Sequence, residues 1–180
     1  MISIIMAVYN GERYLSEQID SILAQSHSEF SLHIRDDASS DNTWDILTKY
    51  EQRYPDKIKI SRRDRDNNSG SAKHNFLGMM VNIKDDYIML CDQDDVWLPD
   101  KIKKTFEKMK EMEGKYGTET PIMVHTDLQV VDQDLKILNP SYKQAMNSNF
   151  NRTDFHQVLI QNILTGCTAM YNRSLSSYMD

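Results

Sequence analysis

The sequence predicts an α/β domain with a mostly parallel central sheet flanked by helices, and three observations carry that expectation. Short apolar runs alternate with amphipathic helical stretches from the first residues onward. Polar turns rich in Asp, Asn and Ser follow the first, second and fourth of those runs. The 180 residues, 39% of them hydrophobic and free of low-complexity tracts, suffice for one core and are short for two full domains.

Ile2-Ser3-Ile4-Ile5-Met6-Ala7-Val8 reads as a buried strand, and the turn chemistry of Tyr9-Asn10-Gly11-Glu12 ends it. Leu15, Ile19, Ile22 and Leu23 then share one face of a helix running through Gln25. Phe30-Ser31-Leu32-His33-Ile34 alternates apolar with polar as a strand does. It runs into Arg35-Asp36-Asp37-Ala38-Ser39-Ser40-Asp41-Asn42-Thr43, a turn rich in helix N-cap types. Trp44, Ile46, Leu47 and Tyr50 continue as a second amphipathic helix to Arg53, and Lys57-Ile58-Lys59-Ile60 makes a third strand. After a polar loop over 61–70, a helix puts Ala72, Phe76, Met79, Met80 and Ile83 on one face. Residues 87–91 form a continuous apolar strand of the kind found at the centre of a parallel sheet.

Pro99 opens a helix with Ile102, Phe106 and Met109 on one side. Residues 122–125 and 128–131 read as later strands divided by Thr126-Asp127, and 139–151 shows no clear period. A helix near 155–163 and a strand near 168–171 follow. The eleven methionines fall mostly on core faces, where they act as adaptable filler.

Charge narrows the partners. Lys plus Arg is 21 against 27 Asp plus Glu, a net charge of −6 with an isoelectric point near 5.3. A domain built to neutralise phosphate backbones carries the opposite balance, so no nucleic-acid partner is expected. The apolar opening lacks a basic flank, a small-residue cleavage site and the length to span a bilayer, and it reads as neither signal peptide nor anchor. Cys91 and Cys167 sit inside apolar stretches with no C-x-x-C spacing, as reduced core thiols of a cytoplasmic protein do. His27, His33, His74 and His156 have no partner spacing and read as surface or core residues.

In an open sheet of alternating strands and helices, ligands bind outside the carboxyl ends of the strands. Tyr9-Asn10, Asp36-Asp37 and Asp92-Gln93-Asp94-Asp95 all occupy such ends, so three turns converge on one edge. Asp92 and Asp94 stand two apart just past a buried strand, where like carboxylates repel unless a cation or a proton is shared. Mg²⁺ or Mn²⁺, held by one or two carboxylates and by substrate phosphates, relieves that repulsion. A solvated turn capping the Pro99 helix is the plain alternative. The first strand–helix turn lacks the G-x-G-x-x-G of dinucleotide-binding sites and no P-loop is present. An EF-hand reading fails because Trp97 stands where that loop needs glycine.

Four strings in order resemble the family 2 glycosyltransferases, whose nucleotide-binding half has the GT-A fold. They are Ile4-Ile5-Met6-Ala7-Val8-Tyr9-Asn10, the turn Asp36-Asp37-Ala38-Ser39-Ser40-Asp41-Asn42-Thr43, Asn68-Ser69-Gly70-Ser71-Ala72, and Leu90-Cys91-Asp92-Gln93-Asp94-Asp95-Val96-Trp97. The last, continued by Leu98-Pro99-Asp100-Lys101-Ile102, looks like the D-x-D region of the branch holding bacterial rhamnosyl- and related polysaccharide transferases. Asn162-Ile163-Leu164-Thr165-Gly166-Cys167-Thr168 is similar to a later stretch of that branch. Each string alone is weak; their order and spacing are specific.

The resemblance implies an inverting transferase that moves a sugar from a nucleoside-diphosphate donor, dTDP-rhamnose or a UDP-hexose, to a glycan or lipid-linked acceptor in cell-surface polysaccharide synthesis. It implies a cytoplasmic protein, with a place at the inner face of the membrane left open. Ala7, Val8 and Tyr9 would line the base pocket, and Asp37 would accept a hydrogen bond from a pyrimidine imide. Asp36, Ser40 and Asp41 are better read as turn and cap residues. Ser71 and Lys73 would approach the donor and Gln93 would be among its binding residues; Asp92 would lie near the ribose, and Asp94 would hold the Mg²⁺ or Mn²⁺ ion. A single GT-A domain over 1–180 is expected, nucleotide-binding over about 1–100, with the acceptor-binding part beginning over about 101–180.

The family places its proton-accepting carboxylate after the stretch similar to Thr165-Gly166-Cys167-Thr168, so the catalytic base is expected beyond Asp180, with Asp127 a weak candidate inside the chain. Two other readings stay open. Asp92-Gln93-Asp94-Asp95-Val96 also fits the D-x-D-x-V of haloacid dehalogenase-type phosphatases, although that motif belongs on an early strand. A nucleotide-sugar-binding domain without catalysis is the non-enzyme reading.

Overall fold

The computed structural model describes residues 1–64, 66, 70–146 and 164–178. Strand β1 is Ile2–Val8, followed by helix α1 (Leu15–Leu23), β2 (Phe30–Asp36), α2 (Thr43–Arg53), β3 (Ile58–Arg62), α3 (Ala72–Met80), β4 (Tyr87–Cys91) and α4 (Lys101–Tyr116). Then come β5 (Met123–His125), β6 (Val130–Val131), β7 (Ile137–Asn139), the short α5 (Tyr142–Ala145), a 3₁₀ turn (Gly166–Thr168), β8 (Ala169–Asn172) and α6 (Arg173–Ser176). The helix expected near 155–163 lies outside the described residues, as do Asn68, Ser69, Asn162 and Ile163 of the family-like strings and His156.

The six-stranded sheet has the order β3-β2-β1-β4-β8-β5. Strands β1 to β4 run parallel, and β8 enters antiparallel between β4 and β5. Strand β4 therefore borders the antiparallel segment, with β1 parallel to it on its other side. The order turns back between β1 and β4, and that switch point opens the crevice in which open α/β sheets bind ligands.

Both faces of the sheet are covered, which is why β1 is apolar almost throughout. On one face Ile2, Ile4, Met6 and Val8 pack with Leu32 and Ile34 against Leu15, Ile19 and Ile22 of α1, Leu47 of α2, and Ile102 and Met109 of α4. On the other, Ile5 and Ile88 meet Met79 and Met80 of α3 and Tyr171 of β8, with Ile83 packed alongside. The predicted helical faces are thus the ones turned to the core, except that Ala72 of the expected α3 face is exposed.

The differences lie at polar ends. Strand β2 continues through Arg35 and Asp36, and β3 through Ser61 and Arg62, beyond their apolar cores. Both extensions pair in the sheet, and the Arg62 guanidinium meets the buried Asp36 carboxylate at 2.9 Å. Helix α1 stops at Leu23, two residues early, and the Gln25 side chain donates to the Leu98 carbonyl at 2.8 Å. Residues 130–131 join 137–139 in a separate two-stranded ribbon, and 137–139 had no strand signal.

Candidate functional site

The loop after β1 is built by contacts to two other loops. The Asn10 amide donates to Ser39 Oγ at 2.9 Å, the Ser40 amide donates to Asn10 Oδ1 at 2.9 Å, and the Gly11 amide donates to Thr43 Oγ1 at 2.8 Å. Gln93 closes the other side: the Tyr9 amide donates to its Oε1 at 2.8 Å, and its Nε2 donates to the Tyr9 carbonyl at 3.2 Å. A Cβ on Gly11 would stand 3.0 Å from Gln93 Oε1, so glycine permits this approach. Asn10 and Ala38 have φ of +49° and +66°. A left-handed alanine is strained by about 1–2 kcal/mol, and such strain persists where the surroundings over-determine it.

These loops enclose a cavity of about 230 Å³ lined by Ala7, Val8, Tyr9, Asp37, Ala72, Asn75, Phe76, Asp92, Gln93 and Asp94. Seven of the nine donor-site residues expected from the sequence are there. Ser71 and Lys73 are not among the lining residues: Ser71 caps α3, its Oγ accepting from the His74 amide at 3.2 Å, and Lys73 is exposed. In their place the same helix start presents Ala72, Asn75 and Phe76. Asn75 is buried and tied to β2, its Oδ1 accepting from Arg35 Nε at 2.5 Å and its Nδ2 donating to the Arg35 carbonyl at 3.1 Å. The sequence signal for Asn75 was a polar residue one position before Phe76 on the expected helix.

Asp36 and Asp37 divide their labour. Asp36 is fully buried, accepts from the Ser39 amide at 3.1 Å and from the Ser39 hydroxyl, and pairs with Arg62. Asp37 lines the cavity, with Arg63 Nε 3.7 Å away. Asp41 ties the α2 entry, accepting from the Thr43 amide at 3.1 Å and the Glu12 amide at 3.1 Å.

The carboxylates after β4 are arranged differently from the Asp92–Asp94 pairing expected. Asp92, Asp95 and Cys167 bring one ligand atom each within 4.8 Å of one another, while the exposed Asp94 stands outside that group. Burial, then the charge of Asp95, pushes the Asp92 carboxyl up from its ordinary value, and Asp94 adds to the rise. Lys101 Nζ approaches the cluster and donates to the Cys167 carbonyl at 2.8 Å. The oxygen donors of Asp94 and Asp92 on the cavity wall fit a hard divalent cation; Asp95 and Cys167 already face an ammonium.

A smaller recess lies beside the 3₁₀ turn, lined by His125, Thr126, Asp127, Leu128, Tyr142, Thr165 and Thr168. Asp127 accepts from Ser141 Oγ at 2.6 Å, the Leu128 amide at 2.9 Å and the Lys143 amide at 3.2 Å. Burial pushes its carboxyl up, but these hydrogen bonds outweigh burial and hold it below its usual value. A carboxylate so satisfied is a weak proton acceptor.

Fold and cavity together define an α/β protein with a cavity at the β1/β4 switch point, between the Tyr9 ring and acidic turns. The model of the family described as "Glycosyl transferase family 2" matches residues 3–178, and the chain belongs to that family. Its fold is GT-A. It is 39% identical over 105 residues to a dTDP-rhamnosyl transferase of Shigella flexneri, covering 57% of this chain and 36% of that one. An uncharacterised glycosyltransferase of Nostoc is 32% identical over 144 residues, 80% of this chain and 41% of the relative. The structure of TarS of S. aureus in complex with UDP superposes with a TM-score of 0.54 at 27% identity, over 61% of this chain and 32% of that chain. The chain thus spans less than half the length of either relative. Family membership removes the phosphatase alternative, as does the place of Asp92 after the fourth strand.

Proposed function

We propose that this chain binds the donor of a sugar-transfer reaction, a nucleoside-diphosphate sugar with a pyrimidine base, in the cavity at the β1/β4 switch point. The observation that carries the reading is the convergence of Tyr9, Asp37, Asp92 and Asp94 on that one cavity. The exposed Tyr9 ring offers a stacking surface, and Asp37 offers an acceptor for the imide N–H of uracil or thymine. Asp94, with Asp92 beside the ribose, would hold Mg²⁺ or Mn²⁺ against the diphosphate. Such a cation stabilises the negative charge of the departing nucleoside diphosphate as a Lewis acid. The hydrogen-bond network of Gln93, Asn10 and Ser39 keeps these groups preorganised.

The similarity to a dTDP-rhamnosyl transferase and to a UDP-bound transferase supports a pyrimidine donor. The acceptor in this reading is a glycan or a lipid-linked saccharide of the cell surface. No helix among the described residues is long and apolar enough to cross a membrane. Residues up to about 100 form the donor-binding part, and those from about 101 onward begin the acceptor side.

Thermal shift and calorimetry with UDP, dTDP, ADP and GDP, each with Mn²⁺ or EDTA, test the reading. A ligand bound only by the native state raises the melting temperature. UDP or dTDP should stabilise most and only with the cation. Equal stabilisation by purine and pyrimidine diphosphates, or none by any of them, would falsify the proposal. Binding without sugar transfer by the full-length protein would instead identify a nucleotide-sugar-binding module.

A further inference from the structure

Lys101 begins α4, and its side chain turns inward rather than to solvent. Most of it is covered, and Asp95 and Asp92 lie near enough for their charges to act on its ammonium. It lies 4.1 Å from the centroid of the Trp97 ring and donates to the Cys167 carbonyl at 2.8 Å. Trp97 is itself fixed, 3% exposed, its backbone amide donating to Ser21 Oγ at 2.9 Å. An ammonium withdrawn from water needs compensating partners. Here they come from the Trp97 ring and from the carbonyl of Cys167, 66 residues along the chain from Lys101.

The acidic turn itself has no strand or helix to hold it. Gln93 restrains it on the β1 side through the Tyr9 backbone. On the opposite side stand Asp95, Cys167 and Lys101. We propose that Lys101 is a positioning residue for the donor-cation site, docking the Gly166–Thr168 turn against the acidic turn so that Asp92 and Asp94 meet cation and diphosphate in one fixed arrangement. The inference rests on the proposed donor site. Its physical basis is that groups behind metal ligands orient them, and losing such a group typically weakens metal affinity about 10–100-fold.

The test compares the unmutated chain with Lys101→Met, which keeps the stem and removes the charge, and Lys101→Arg, which keeps the charge. Calorimetry measures UDP binding with Mn²⁺ and with EDTA. Alkylation by an uncharged reagent, followed by peptide mapping, reads the Cys167 thiol apart from Cys91. Lys101→Met should weaken the Mn²⁺-dependent part of UDP affinity about 10–100-fold, leave affinity in EDTA unchanged and speed Cys167 alkylation, while Lys101→Arg restores both. A folded Lys101→Met with unmutated values in both assays overturns the proposal.

If the unmutated chain shows no Mn²⁺-dependent UDP binding, the donor reading fails, and the alkylation rate alone decides whether Lys101 docks the turn. Faster Cys167 alkylation supports docking; an unchanged rate overturns it. Should Lys101→Met lose its cooperative melt, Lys101→Gln carries the same two readouts with a residue that can still hydrogen bond to the Cys167 carbonyl.

Discussion

The two ends of the parallel strands carry polar clusters of opposite character. At the amino ends, Ser3 Oγ donates to Asp85 at 2.5 Å and lies 3.4 Å from His33 Nε2, and Ser31 Oγ lies 3.0 Å from the same nitrogen. Ser3 is fully buried, and the amino group of Met1 meets Asp86 at 2.5 Å. At the carboxyl ends, Asp37, Asp92 and Asp94 face a cavity. The side chains of the first cluster bond to one another. The second crowds like charges beside open space, which is unfavourable for the free protein and becomes favourable when a cation and a diphosphate fill it. Type and number of polar residues do not separate the two ends; what each side chain faces does.

The largest expected break in this contrast is Asp94→Asn. It should weaken Mn²⁺-dependent UDP binding by about 2–5 kcal/mol, roughly thirtyfold or more, with an unchanged melting temperature, because Asp94 is exposed and outside the Asp92–Asp95–Cys167 group. Calorimetry beside a thermal melt separates the two effects. Asp37→Ala should narrow the preference for UDP over GDP by about 1.5–3 kcal/mol, the worth of a hydrogen bond to a charged group. Competition binding reads that ratio directly. The neighbouring Asp36→Ala should leave the ratio alone and lower stability, by about 2–3 kcal/mol for its lost charged hydrogen bonds, measured by urea unfolding.

Asp92 sharpens the contrast through pH. Burial and then Asp95 raise its carboxyl in the folded protein, so the native state binds the proton more tightly than the unfolded chain. Stability of the ligand-free protein should therefore fall as pH rises from the unfolded carboxyl value through the raised folded one. Asp92→Asn should melt higher than the unmutated chain in EDTA above that window while losing Mn²⁺-dependent UDP binding. A lower melting temperature in that variant would contradict this assignment of strain.

The smallest effect belongs to the closed cluster. Burial lowers the His33 value against an opposing pull from Asp85, with Lys59 adding to the fall. The unfolded chain then binds that proton more readily, so stability should fall as pH drops from the unfolded histidine value, about 6.5, toward the lowered folded one. His33→Gln should flatten that slope in urea melts run across this range and leave UDP binding untouched.

The order of strands and helices through α4 was legible because burial imposes period: alternation in β2, the apolar run of β4, and the i, i+4, i+7 face of α1. The place of Tyr9 and the acidic turn on the cavity wall was legible because polar clusters directly after parallel strands gather at one edge of the sheet. Three things had no signal in the linear pattern. The ribbon of β6 and β7 pairs through local turns of 2–3 residue strands too short to show a period. Asn75 and Arg35 find each other across 40 positions. Lys101 and Cys167 meet across 66.

By itself the sequence determined what depends on neighbours along the chain: which residues seek the core and which carboxylates follow the apolar part of each strand. Only the tertiary structure decided what each of those carboxylates faces. Asp36 and Asp37 are adjacent and chemically identical, yet one is sealed under Arg62 and Ser39 while the other looks into the cavity, because successive side chains at a strand end point to opposite sides. Asp94 stands outside the Asp92–Asp95–Cys167 group for a comparable reason: the 3₁₀ turn brings Cys167 to two of the three carboxylates and leaves the third exposed to solvent.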